Sequence, residues 1–161
     1  MQLVVNTHLE DYIYHLYKKM EINNPEKIDM HLIAEKLNIR IVYGSTVFCY
    51  RNYIMLKHSC ARQQWQSFGH ELAHVLLHSG NQMDMYPMYR EYQEWRADLF
   101  ALHFCIPTFM LEKLNLPSTR NEAISMIANE FGVSLKFAEV RLDKWLNKNK
   151  LIDIKTLTNN Y

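Results

Sequence analysis

A chain of 161 residues, 48% apolar and with a formal net charge of +1, has material for one domain with a full hydrophobic core. It carries no field of either sign strong enough to hold nucleic acid or an anionic membrane by charge alone. Cys49, Cys60 and Cys105 are odd in number and widely spaced, and no apolar run approaches signal-peptide or transmembrane length; the expectation is reduced thiols in a cytoplasmic protein with no cysteine zinc site.

In chain order, residues 7–20 place Leu9, Tyr12, Ile13, Leu16, Tyr17 and Met20 at helical spacing, with Thr7 as a cap. Asn23, Asn24 and Pro25 break that helix. Asp29 caps a second, short one that carries Leu32, Ile33 and Leu37 on one face. Three β-rich runs follow, at 39–43, 46–50 and 53–57, with Gly44-Ser45 and Arg51-Asn52 as turns between them. The pattern predicts a small antiparallel meander. Residues 61–78 read as a strong helix ended by Ser79-Gly80-Asn81. A Met- and Tyr-rich loop at 83–92 with Pro87 in its middle leads to a helix at 90–105, stopped at Pro107. A short helix is expected from Thr108, and residues 121–131 and 134–147 form a helical pair around Gly132. The expected organisation is a core at 1–117, the helix-turn-helix-like pair at 118–150 packed on it, and a tail at 151–161.

The chemistry concentrates in His70-Glu71-Leu72-Ala73-His74. On a helix, two histidines four residues apart share a face and can reach one zinc ion. Glu71 is then placed to take a proton from the water that attacks a peptide carbonyl. Phe68, Leu72, Val75, Leu76 and Leu77 surround the motif, so the helix is largely buried, and burying two imidazoles and a carboxyl without a use is costly. Hydrogen-bonded core histidines are the blander alternative.

Catalytic zinc usually has three protein ligands. The position where an extended form of the motif carries a third histidine is Gly80, so the third ligand belongs to another segment. The following helix offers Glu94, with Ala97 and Ala101 on the same face. Together with Ala73 these let two helices approach closely. Glu91, one turn earlier, competes for the role but lacks small neighbours. Asp98, one turn after Glu94, suits a carboxylate that fixes a liganding histidine through its distal N–H. Surface charges are the alternative for both Glu94 and Asp98.

His70-Glu-Leu-Ala-His74, Glu94-Trp-Arg-Ala-Asp98-Leu-Phe-Ala-Leu, Ile106-Pro107 and Ile127-Ala-Asn-Glu-Phe-Gly-Val-Ser134, with Arg141-Leu142 behind, resemble the ImmA/IrrE family of bacterial and phage metallopeptidases. The resemblance covers about residues 10–146. It implies a zincin-like α+β fold in which zinc is held by His70, His74 and Glu94. It also implies proteolysis of helix-turn-helix repressors of phages, mobile elements or stress genes. Ala73 stands where many relatives have glycine, which affects nothing catalytic.

Other residues were weighed beside these. His78 continues the His70, His74 stripe, but the helical turn carries it away from the ion. His103 could face the cleft as a transition-state donor, with packing as the default. Tyr86, Tyr89 and Tyr92 are candidate oxyanion donors. The pair around Gly132 has helix-turn-helix spacing, yet Glu122, Glu130, Glu139 and Asp143 offset most of its cations, which favours packing or partner recognition over DNA binding. The rival to a repressor-cleaving zinc peptidase is a module that sequesters a repressor without cutting it; an intact Glu71 argues against that.

Overall fold

The computed structural model describes residues 7–77 and 85–158, with side chains to residue 150. The described elements are α1 (His8–Lys19), a 3-10 turn at Pro25–Lys27, α2 (Met30–Lys36), β1 (Arg40–Gly44), β2 (Phe48–Tyr50), β3 (Tyr53–Lys57), α3 (Ala61–Leu77), α4 (Pro87–Cys105), α5 (Thr108–Leu111), α6 (Arg120–Glu130) and α7 (Leu135–Thr158). The α+β class and the three-stranded sheet are as the sequence predicts. The α1 cap is a full capping box: the Thr7 hydroxyl accepts from the Glu10 N–H, and the Glu10 carboxylate accepts from the Thr7 N–H. Asp29 caps α2 by accepting from Leu32 N–H at 2.7 Å.

The sheet is not a simple antiparallel meander. Its order is β1-β3-β2; β2 and β3 pair antiparallel, but β1 pairs with β3 in parallel, Arg40 opposite Tyr53 and Gly44 opposite Lys57. Burial explains the order. Ile54 and Leu56 are fully buried, so β3 takes the centre, while the half-exposed β1 and β2 flank it. The chain crosses from β1 to the far side of β3 before the Arg51-Asn52 turn, where Arg51 has φ 53°, brings it back.

Two helix boundaries also differ from the sequence reading. α4 begins at Pro87, because proline's fixed φ and missing N–H suit the first helical position. Tyr89 and Tyr92 are therefore helical, not part of a loop. α7 runs on to Thr158, since no glycine or proline interrupts it after residue 134, so most of the predicted tail is helix. His78 and residues 79–84 of the predicted connecting loop lie outside the described residues.

One apolar core joins all layers. It includes Ile13 and Tyr17 of α1, Ile54 and Leu56 of β3, Phe68 and Leu72 of α3, Phe100 and Phe104 of α4, Ile127 of α6 and Leu142 of α7. A buried polar network ties the first helix to the last. The Glu10 carboxylate accepts from Thr108 Oγ1 at 2.8 Å and from Lys148 Nζ. The fully buried Arg141 donates to Thr108 Oγ1 at 2.7 Å and to the Ile106 carbonyl at 3.1 Å. Burying these charges is tolerable only because each is hydrogen-bonded, and Glu10 and Lys148 are also paired with each other.

His103 belongs to this network and not to the histidine motif. Its Nδ1 lies 3.9 Å from a Glu10 oxygen and has no hydrogen-bond partner. The transition-state role is thereby displaced by packing. Burial, with the Arg141 charge behind it, pushes the His103 imidazole down to about 3. Burial acts the other way on Glu10, but hydrogen bonds from Lys148, Thr7 and Thr108 hold its carboxyl at about 2. Both shifts leave the native state with fewer bound protons than the unfolded chain at acid pH. Stability is therefore full above the ordinary imidazole value of 6.5 and falls as pH drops toward 3, by at most about 1.4 kcal/mol per pH unit for each group. The expected result is a denaturation midpoint that declines from pH 7 to pH 4 in wild type and declines less steeply in His103→Leu. Parallel pH curves for the two proteins would contradict the assignment.

Candidate metal centre

α3 and α4 carry the motif residues because their backbones run unusually close. Ala73, Ala97 and Ala101 are all buried at the contact. The decisive residue is Gly69, one position before the histidine motif. A Cβ built there would sit 2.8 Å from Cys105 Sγ, inside normal contact, and in ordinary contact with Ala101 Cα at 3.6 Å. Gly69→Val should cost about 1–3 kcal/mol of stability by overpacking, and should weaken metal binding as the helices part. Denaturant unfolding and a zinc titration test this; an unchanged zinc affinity in a destabilised but folded variant would separate the contact from the site.

The close approach brings His70, His74 and Glu94 together, each offering a ligand atom within 4.8 Å of the others. The His70 and His74 Nε2 atoms are 3.2 Å apart. His70 Nε2 lies 3.1 Å from Glu94 Oε2, and His74 Nε2 lies 3.3 Å from Glu94 Oε1. Tetrahedral ligands at the usual zinc distances of about 2.0–2.1 Å are separated by about 3.3 Å, so the donor triangle has the size of one face of such a site. Its chemistry fits as well: two imidazoles and one carboxylate suit zinc and leave a position open. Glu91 is exposed and lies outside the group.

Asp98 accepts from His70 Nδ1 at 2.8 Å. That bond places the ring proton on Nδ1 and aims the Nε2 lone pair at the triangle. Glu71 is buried at the base of the site. Burial pushes its carboxyl above the ordinary value and Glu94's charge adds to this, while His70 and a hydrogen bond from Cys49 pull it back. His74 is buried too, which favours its neutral, ligating form.

Cys49 is a site residue that motif reading passes over. It is the inward position of β2, between the exposed Phe48 and Tyr50, and its thiol interacts with the Glu71 carboxylate. Burial first, then the Glu71 carboxylate, push the thiol up to about 12. Strand alternation was the available signal. Gly69 was legible in another way, as a helix-interior glycine without a propensity reason.

The candidate oxyanion tyrosines, Tyr86, Tyr89 and Tyr92, are all exposed. Tyr89, Tyr92 and Trp95 form a ladder of rings along the outside of α4, with centroids 6.5 and 6.1 Å apart.

The C-terminal pair is bonded directly to the motif helix. Arg62 of α3 donates to the Val133 carbonyl and to Asn129 Oδ1, both at 2.8 Å. Gln66, one turn before His70, accepts from the Ser134 N–H at 2.7 Å. Gly132, with φ 63°, makes the turn that presents these groups. On the pair's outer side Arg120 is held by Asp143 at 2.6 Å and by Glu139 at 3.4 Å.

A buried glutamate next to a His, His, Glu triangle, on two helices beside a small sheet, is the arrangement of a peptidase-type fold. The chain belongs to the family of IrrE N-terminal-like domains, a peptidase family, whose model matches residues 25–143. It is 43% identical over 143 residues to the phage-like element PBSX protein XkdA of Bacillus subtilis (strain 168), which covers 85% of this chain and 72% of that protein. It is also 38% identical over 149 residues to the uncharacterized protein YqaB of the same organism, covering 89% and 87% respectively. No helix among the described residues is long and apolar enough to cross a membrane.

Proposed function

We propose that this chain is a zinc-dependent, site-specific endopeptidase of the cytoplasm that cuts a helix-turn-helix repressor of a phage or mobile element. The observation that carries the reading is the donor triangle with edges of 3.1–3.3 Å beside the buried Glu71. His70, His74 and Glu94 would hold the ion, and Asp98 would orient His70. Zinc, when bound, supplies a Lewis acid that polarises the scissile carbonyl and acidifies water. Glu71 takes the proton of the attacking water and returns it to the leaving amine. Burial raises the Glu71 carboxyl above its ordinary value, the direction that strengthens it as a base. Cys49 holds the carboxylate in place from the sheet side.

The substrate class rests on family membership and on a relative whose name places it in a phage-like element. A cytoplasmic peptidase must also be selective to spare its host. The test is incubation of the zinc-loaded protein with the repressor encoded beside its gene, with casein in parallel. One or a few defined cuts in the repressor and little casein digestion are expected. Efficient casein digestion with no preference for the repressor, or repressor bound but never cut, would reject the reading.

A further inference from the structure

A cavity of about 490 Å³ opens beside Glu71 and runs between α3, α4 and the first turns of α7. Val47, Ala101, Leu102, Phe137 and Val140 give it apolar walls, while His70, Glu71 and Asp98 line the side nearest the donor triangle. Its cation, Lys136, is engaged by Glu139 at 2.9 Å. We infer that this cavity is the specificity subsite of the peptidase, and that it takes a large apolar side chain, of the leucine, methionine or phenylalanine class, from the residue next to the scissile bond. The inference rests on the peptidase reading above and adds what it selects.

Three features support it. The cavity shares Glu71 with the site, so a side chain filling it belongs to a residue adjoining the bond that Glu71 serves. The lining decides the chemistry: Ser67 adds a hydroxyl and Gln66 and Ser134 are bonded to each other, but the five apolar side chains gain from excluding water, whereas Glu71 and Asp98 repel an acidic substrate side chain. The far wall is also fixed. Phe137 and Val140 lie on the helix whose start is bonded to Gln66, and Gln66 is one turn from His70. The C-terminal helix thus sets the width of the cavity relative to the residues that do the chemistry, a role distinct from recruiting a partner at a remote surface.

The experiment is calorimetric binding of glycine, leucine, phenylalanine and aspartate hydroxamates to the zinc-loaded full-length protein. The hydroxamate is common to all four, so differences report the side chain. One methylene in an apolar pocket is worth about 10–200-fold, so leucine and phenylalanine hydroxamates should bind at least about 10-fold more tightly than glycine hydroxamate, and aspartate hydroxamate no better than glycine. Val140→Trp should fill the cavity and bring leucine to within about 3-fold of glycine. Val140→Ala, the gentler variant, should keep the fold and narrow the preference for leucine over glycine by several-fold. Equal binding of glycine and leucine, or tightest binding of aspartate, would overturn the subsite and leave the metal centre standing. Retained zinc with no hydroxamate bound would overturn the subsite alone; a protein that takes up no zinc would overturn the metal centre, and the subsite with it.

Discussion

Glu71→Gln should abolish measurable peptide cleavage while leaving zinc content and thermal stability close to wild type. Glutamine keeps the shape of the side chain and can still accept a hydrogen bond from Cys49, but it cannot take a proton. Removing a general base costs about 10²–10⁴-fold in turnover, and here the same group must also protonate the leaving amine. The loss should fall on kcat with little change in KM, since Glu71 is called upon only as the bond is being broken. Zinc analysis, a melting curve and single-turnover cleavage of the repressor check the three parts separately. Cleavage at the wild-type rate by this variant would remove Glu71 from the mechanism.

The second large effect concerns the ion. Purified protein should hold about one zinc per chain, and the His70→Ala, His74→Ala double variant should hold none. Glu94→Ala should weaken binding by more than about 100-fold, because it deletes a bond and a charge. Asp98→Ala should weaken it by about 10–100-fold, because Asp98 only orients His70 through the 2.8 Å bond to Nδ1. The order of these effects is the discriminating result. Stoichiometric zinc in the double variant, or a larger loss from Asp98→Ala than from Glu94→Ala, would require a different set of ligands.

Much of this centre was legible in the chain because it is built from local periodicity. The four-residue step puts His70 and His74 on one face of α3, and the same step relates Glu94 to Asp98 on α4. Small residues at Ala73, Ala97 and Ala101 announced that two helices would meet. What sequence spacing cannot encode is which surfaces come together across the chain. β1 pairs in parallel because Ile54 and Leu56 claim the middle of the sheet, a competition between strands that turn residues do not reveal. Cys49 reaches Glu71 only once β2 lies against α3. The bonds from Arg62 and Gln66 to residues 129, 133 and 134 link positions far apart in sequence, so spacing placed the helical pair on the core without showing that Phe137 and Val140 of its second helix line the cavity beside Glu71. His103 packs away from the histidines, as its default reading had it, because a helix has several faces and packing decides which one meets them.

The tie between Glu10 and Lys148 spans 138 positions of the chain. During synthesis the cation that pairs with Glu10 follows it by 138 positions, several seconds at about 5–20 residues per second, and the Arg141 that binds Thr108 is made only shortly before it. Until then the capping carboxylate has no buried counter-charge, and α3 has no Ser134 or Val133 to engage Gln66 and Arg62. A nascent chain therefore carries both helices of the donor triangle before it can close the cavity beside them.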